Sequence, residues 1–136
     1  MSEPANTPPP AIAAAIIVQA GKVLLVRRRV NEGTLSWQFP AGAVEPGETP
    51  AQAAVREIAE ETHLTVAPVE SIGERVHPLT GRKIVYLVCQ VVSGQATVGD
   101  KDELAEVTWA SHADLPALVP HGLFETVQAY LDRTLR

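Results

Sequence analysis

Hydrophobic and polar positions follow two periods along this chain. Ala11 to Val18 is apolar throughout, the pattern of a strand covered on both faces. Gln19-Ala20-Gly21-Lys22 reads as a turn, and Val23 to Val26 returns as the second strand of a hairpin. The hairpin ends in Arg27-Arg28-Arg29, where alternation turns Arg28 to the face opposite its neighbours. Asn31-Glu32-Gly33-Thr34 is loop. Leu35 to Phe39 is a short strand with Leu35, Trp37 and Phe39 on one face and Ser36 and Gln38 on the other. Trp37 is assigned to the core, with a base-stacking platform as the alternative.

At Thr49 the period changes from two to 3.6. Thr49 can cap a helix, Pro50 suits its first position, and Gln52 completes a capping box. Ala51, Ala54, Val55 and Ile58 then share one apolar face. After this helix, Leu64 to Ala67 starts a strand that Pro68 interrupts, and Val69 to Val76 continues as an irregular or edge strand. His77 to Arg82 is a hairpin loop, Ile84 to Val92 a long buried strand, and Ser93-Gly94-Gln95 a turn. Arg82 and Lys83 are read as solvated loop charges, with phosphate contact the alternative. An acidic loop, Val98 to Glu106, precedes the strand Val107 to Ala110. Ala113 to Pro116 is a turn. His121-Gly122 opens a last helix, in which Phe124, Val127 and Leu131 repeat at helical spacing for packing on the sheet. Strands interleaved with two helices predict an α/β (α+β) fold, a mixed sheet with helices on its faces.

The chain has 136 residues, enough for one domain with a real core, and 46% hydrophobic content supports that core. The domain is placed at residues 11–136. Residues 1–10 (MSEPANTPPP) are expected to form a disordered or polyproline-like tail. The net charge of −5 argues against stable nucleic-acid binding, which needs a basic patch. Cys89 is the one cysteine, so it has no internal disulfide partner, and within its apolar run it reads as a small hydrophobe. The N-terminal residues lack a basic signal region and no apolar run is long enough to span a bilayer. A cytoplasmic location without membrane contact is therefore expected.

The chemistry lies between Gly42 and Leu64. On a helix, Glu57, Glu60 and Glu61 fall within one arc of roughly 100°. Like charges at this spacing cost a few tenths of a kcal/mol per pair, so a solvated helix gains nothing from them. A hard divalent cation reverses the sign of that interaction. An ordinary solvated acidic face is the competing account of three glutamates taken alone.

The surrounding residues carry a family resemblance. Gly42, Glu48, Arg56, Glu57, Ile58, Glu60, Glu61 and Leu64 stand in the positions of G-x5-E-x7-R-E-U-x-E-E-x-G-U, with U aliphatic. The stretch resembles the Nudix box of the Nudix hydrolases, and its spacings fit without insertion or deletion. His63 departs from the pattern, replacing the final glycine at a site that favours a left-handed backbone.

The resemblance implies an α/β/α sandwich around a mixed sheet and a metal-dependent hydrolase of nucleoside diphosphates linked to another group. It implies Glu57 and Glu61 as ligands of Mg2+ or Mn2+, Glu60 as a ligand or its neighbour, and the Ala41 carbonyl as a further ligand. Glu60, Glu61 and Glu103 are the implied candidates for the catalytic base, with Asp102 and Glu106 as rivals to Glu103 in the acidic loop. Glu48 and Arg56 are implied to form a structural ion pair. Arg28 aligns with a nucleotide-facing arginine of MutT-type members, the alternative being a solvated strand end. The substrate class implied is a small nucleotide, foremost a standard or oxidised nucleoside triphosphate cleaved to monophosphate and pyrophosphate. ADP-ribose or nucleotide-sugar cleavage and a non-catalytic nucleotide-sensing module are the alternatives. The family occurs as monomers and homodimers, and both states stay open.

Overall fold

The computed structural model describes residues 9–29, 35–78 and 80–136. Most of the expected tail (residues 1–8), the loop Asn31–Thr34 and Leu79 of the hairpin loop lie outside the described residues. The elements are β1 (Ile12–Gln19), β2 (Lys22–Arg29), β3 (Leu35–Gln38), β4 (Ala41–Ala43), α1 (Pro50–Thr62), β5 (Thr65–Val76), β6 (Lys83–Ser93), β7 (Leu104–Ala110), α2 (Leu115–Leu118) and α3 (Glu125–Thr134). A 3-10 turn, His112–Asp114, leads into α2.

The strands form one mixed sheet in the order β3-β2-β1-β6-β5, with β4 added to β1 and β7 to β2. The central pair, β1 with β6, is parallel from Ile12↔Ile84 to Ile17↔Cys89. The other pairs among the described residues are antiparallel.

The unbroken apolar run of β1 is explained by what covers each face. Ala13, Ala15 and Ile17 pack with Leu24, Ile58 and Leu87 beneath α1. Ala14 and Ile16 point the other way and pack with Leu25, Val88, Val127 and Leu131 beneath α3. Because β1 is buried on both sides, neither parity of its side chains can be polar.

Helix α1 begins as its residues dictate. The Thr49 hydroxyl accepts from the Gln52 amide at 3.1 Å, and the Gln52 side chain accepts from the Thr49 amide at 2.9 Å. A cap of this kind contributes about 1 kcal/mol. The buried face includes Ala53 as well as Ala54 and Ile58, while Ala51 and Val55 stay partly buried at its margin. The helix ends at His63, which adopts the left-handed conformation at φ 64° and ψ 14°.

Several elements differ from their expected bounds. Strand β5 is the edge strand expected after Pro68 but runs through that proline, which an edge tolerates; among the described residues it is bonded to β6 alone. The proline is absorbed where the register shifts between Pro68 and Glu70. Strand β2 extends to Arg29 and β7 begins at Leu104, since the two pair over Arg28↔Leu104. Strand β4 was not expected; its three residues pair with Ile12–Ala14. The turn expected at Ala113–Pro116 is the 3-10 turn and α2, started by a capping box between Ser111 and Asp114. The last helix begins at Glu125, with Phe124 as its cap residue. No helix among the described residues is long and apolar enough to cross a membrane.

Candidate active site

Helix α1 and strand β4 bring the first carboxylates together. Glu57 and Glu61 are one helical turn apart and face β4. Gly42 makes the close approach feasible: a Cβ there would sit 1.8 Å from Glu57 Oε2 and 2.1 Å from its Cδ. The Glu57 carboxylate thus fills the space that any other residue at position 42 would need. Burial, and secondly repulsion from Glu61, push the Glu57 carboxyl up to about 7, against the pull of Arg56.

Glu61 is 3% exposed, and burial pushes its carboxyl upward. Arg28 opposes that shift. Its Nη2 donates to both Glu61 oxygens, at 3.1 and 3.0 Å, and to the Ala41 carbonyl at 3.2 Å. Its Nη1 donates to Glu103 Oε2 at 3.1 Å. One guanidinium therefore joins β2, β4, α1 and the segment before β7.

Arg56, on the same helix, borders this cluster, with its Nη1 3.4 Å from Glu57 Oε1. Its Nε and Nη2 donate to Glu48 at 2.8 and 2.9 Å, and Nη2 also reaches the Ala43 carbonyl at 3.0 Å. This fork ties the loop before α1 to the helix. It holds the Glu48 carboxyl down at about 2 and the guanidinium above its usual range. Glu60 is exposed and approaches Arg56 at 3.5 Å.

The loop after β6 is stapled to the end of α1. Thr97 N–H donates to the Thr62 carbonyl at 3.0 Å, and Gly99 N–H to the Glu61 carbonyl at 2.7 Å. A Cβ at Gly99 would lie 2.3 Å from the Glu60 carbonyl oxygen, so this contact requires glycine. His63 Nδ1 lies 2.8 Å from Thr97 Oγ1 and joins the same staple. The loop then delivers Glu103.

Two cavities meet here. The first, of about 420 Å³, is lined by Arg28, Glu57, Glu61, Glu103 and Arg82, with Ala41 and Gly42 at its wall. The second, of about 270 Å³, is flanked by Trp37, Phe39, Tyr86 and Phe124, with Arg75 at its wall. They share Ile12, Gln38, Ala41, His77 and Ile84.

A family comparison matches residues 7–130 to the NUDIX domain. The chain belongs to the Nudix hydrolase family. It is 34% identical over 107 residues to a putative 8-oxo-dGTP diphosphatase of Bacillus subtilis (strain 168), covering 78% of this chain and 69% of that protein. It is 43% identical over 89 residues to an octanoyltransferase of Myxococcus xanthus, a match of 57% of this chain and only a quarter (25%) of that protein. A crystal structure of a NUDIX hydrolase from Nitrosomonas europaea superposes with a TM-score of 0.78 at 24% identity, covering 93% of this chain and 72% of that one.

Within this Nudix domain, not every residue singled out from the sequence reaches the same cavity. Glu57, Glu61, Glu103, Arg28 and Ala41 line it. Glu60 lies outside, beside Asp100 and Asp102 in a shallow depression. Glu106 is drawn away by an ion pair with Arg27. Lys83 pairs with Glu74 at 3.1 Å. Arg82, expected as a solvated loop charge, lines the cavity; its Nη2 donates to the Pro10 carbonyl at 2.7 Å and its Nε is buried without a hydrogen-bond partner among the described residues. Phe124 and Trp37, assigned to packing, border the aromatic cavity as well as the core. The placement of Gly99 against α1, and of Gln38 and Arg75 at the cavities, was not legible in the sequence, because each depends on elements distant in the chain.

The donor set suits a hard cation. Two carboxylates and a backbone carbonyl offer oxygen only, and Gly42 leaves a cradle that the Glu57 carboxylate enters. Among the described residues no three His, Cys, Asp or Glu side chains converge closely enough to hold a metal by themselves. Mg2+ needs no such cage, since it usually takes one or two carboxylates and fills its shell with water and substrate phosphate.

Proposed function

We propose that this domain is a metal-dependent pyrophosphohydrolase that cleaves a nucleoside triphosphate to its monophosphate and pyrophosphate. The observation that carries this reading is the meeting of the two cavities. One is acidic and walled by arginines; the other is aromatic and sized for a base. A nucleotide laid across Gln38 and Ala41 places its base against the aromatic rings and its phosphates beside Glu57 and Glu61. The relative named as an 8-oxo-dGTP diphosphatase supports the same substrate class.

In this proposal Glu57, Glu61 and the Ala41 carbonyl hold Mg2+ or Mn2+. The ion would neutralise phosphate charge and lower the pKa of bound water. The net negative charge of the chain makes that neutralisation necessary for a polyphosphate to approach. Arg28 and Arg82 supply the protein's own positive charge at the cavity. Arg28 exchanges its bonds to Glu61 for a phosphate oxygen, bringing a fixed cation where charge develops. Glu103, on the loop opposite the helix, takes the proton from the attacking water. Glu61 is the second candidate for that role. Glu60 acts from outside the cavity through its contact with Arg56. The Glu48–Arg56 pair keeps the loop and helix in register.

The test is turnover on a panel of nucleotides with Mg2+ or Mn2+. The panel holds standard and oxidised nucleoside triphosphates, ADP-ribose, a nucleotide sugar and dinucleoside polyphosphates. Metal-dependent release of pyrophosphate from a triphosphate, lost in folded Glu61→Gln, supports the proposal. Cleavage of ADP-ribose or nucleotide sugars instead moves the assignment to that branch. Absence of turnover with retained nucleotide binding favours a sensing module.

A further inference from the structure

Arg75 in the aromatic cavity is a candidate for reading the base. This inference rests on the cavity being the nucleobase site. Among the described residues the cavity has no carboxylate; its side chains with polar groups are Trp37, Gln38, Arg75, His77 and Tyr86. Arg75 is held in place on two sides. Its Nε donates to the Tyr86 hydroxyl at 3.2 Å, and its guanidinium carbon lies 5.2 Å from the centre of the Phe124 ring. Tyr86 and Phe124 pack on each other with ring centres 5.3 Å apart. Its acidic sequence neighbour, Glu74, pairs with Lys83. Among the described residues the Nη groups of Arg75 have no hydrogen-bond or ion-pair partner.

A guanidinium donates and never accepts, and it keeps its charge at any working pH. Nη donors that no protein group engages are open to a ligand that supplies acceptors. Guanine offers O6 and N7 on one edge, whereas adenine offers N7 beside an amine that is itself a donor. Uracil and thymine carry a carbonyl where cytosine carries an amine. Gln38 can present either its carbonyl or its amide, so it does not discriminate. Arg75 does.

We propose that Arg75 determines base specificity, selecting nucleotides with a carbonyl oxygen at the purine 6-position or pyrimidine 4-position over those with an amine there. Inosine and adenosine triphosphates provide a matched pair, because they differ at the 6-position of one ring. The test is kcat/KM for ITP and ATP with wild type and Arg75→Met, together with calorimetric binding of IMP and AMP. Wild type should favour ITP by about tenfold to a hundredfold, the worth of one good arginine–base contact. Arg75→Met should bring the two within about threefold while Tm shows it folded, and Arg75→Lys should restore part of the preference. Tyr86→Phe, which frees the guanidinium, should weaken the preference without abolishing it.

Equal use of ITP and ATP by wild type, a preference for ATP, or a preference retained in folded Arg75→Met overturns the inference and leaves the hydrolase proposal intact. Absence of turnover on any triphosphate counts against the hydrolase proposal instead. The IMP and AMP titrations then decide the inference by themselves: tighter IMP binding that is lost in Arg75→Met supports it, and equal or inverted binding overturns it.

Discussion

Arg28 donates through a single nitrogen to both carboxylate oxygens of Glu61, whose side chain is only 4% exposed. A buried carboxylate needs such a partner, and removing one member of a buried pair costs several kcal/mol. Arg28 itself is partly exposed, and Glu61 can take up a proton, so the cost here is smaller. Arg28→Met should destabilise the metal-free protein by about 1–3 kcal/mol in urea unfolding. Mn2+ should recover part of the loss by supplying charge to the same oxygens. Equal stability of the two proteins in metal-free buffer would show that the pair carries no weight.

Gly42→Ala places a methyl group where Glu57 Oε2 lies. The obstructing atoms end a flexible side chain, so the fold should survive and the carboxylate should move. Turnover is expected to fall by about a hundredfold, with Tm changed by less than about 5 °C. Wild-type kcat in this variant would mean that Glu57 need not occupy the cradle.

The Glu48–Arg56 pair predicts a pH dependence. Arg56 holds the Glu48 carboxyl at about 2, below its ordinary value of 4.5. A carboxyl depressed on folding stabilises fully above its unfolded pKa and loses that contribution as pH falls through the folded one. The stability difference between wild type and Glu48→Gln should therefore be constant above about pH 5 and shrink between about pH 4.5 and pH 2. Urea unfolding across that range measures it. A difference that stays flat down to pH 2 would rule out the pair as its source.

His63→Gly sets two effects against each other. Glycine relieves a left-handed backbone, worth about 1 kcal/mol. It also removes the contact of His63 Nδ1 with Thr97, worth a similar amount. Stability should change by no more than about 1 kcal/mol, and catalysis should be nearly unchanged. A large loss of turnover in a folded variant would give His63 a role in holding the Glu103 loop.

Local chemistry was legible in the sequence, and distant chemistry was less so. Thr49, Pro50 and Gln52 set the start of α1 through contacts within one turn, and the i,i+4 spacing of Glu57 and Glu61 put both on one face before any tertiary contact was known. Residues whose neighbours come from elsewhere in the chain were harder. Phe124 has the spacing of a core residue, and nothing local reveals that the sheet leaves a cavity beside it. Arg82 sits in a polar loop, and its placement depends on how that loop folds toward β1. Pro68 looks like a strand breaker, and although an edge strand was legible after it, the register shift that carries β5 through the proline was not. The separation of Glu60 from Glu61 is a matter of degrees around α1, settled by where β4 and the Gly99 loop lie.

The most direct test of the central claim is phosphorus NMR of a nucleoside triphosphate incubated with the protein, with Mg2+ and with EDTA, beside Glu61→Gln of verified fold. The account predicts monophosphate and pyrophosphate signals with Mg2+ that are absent with EDTA and reduced by orders of magnitude in Glu61→Gln. Undiminished hydrolysis in EDTA, or a wild-type rate in Glu61→Gln, would contradict it.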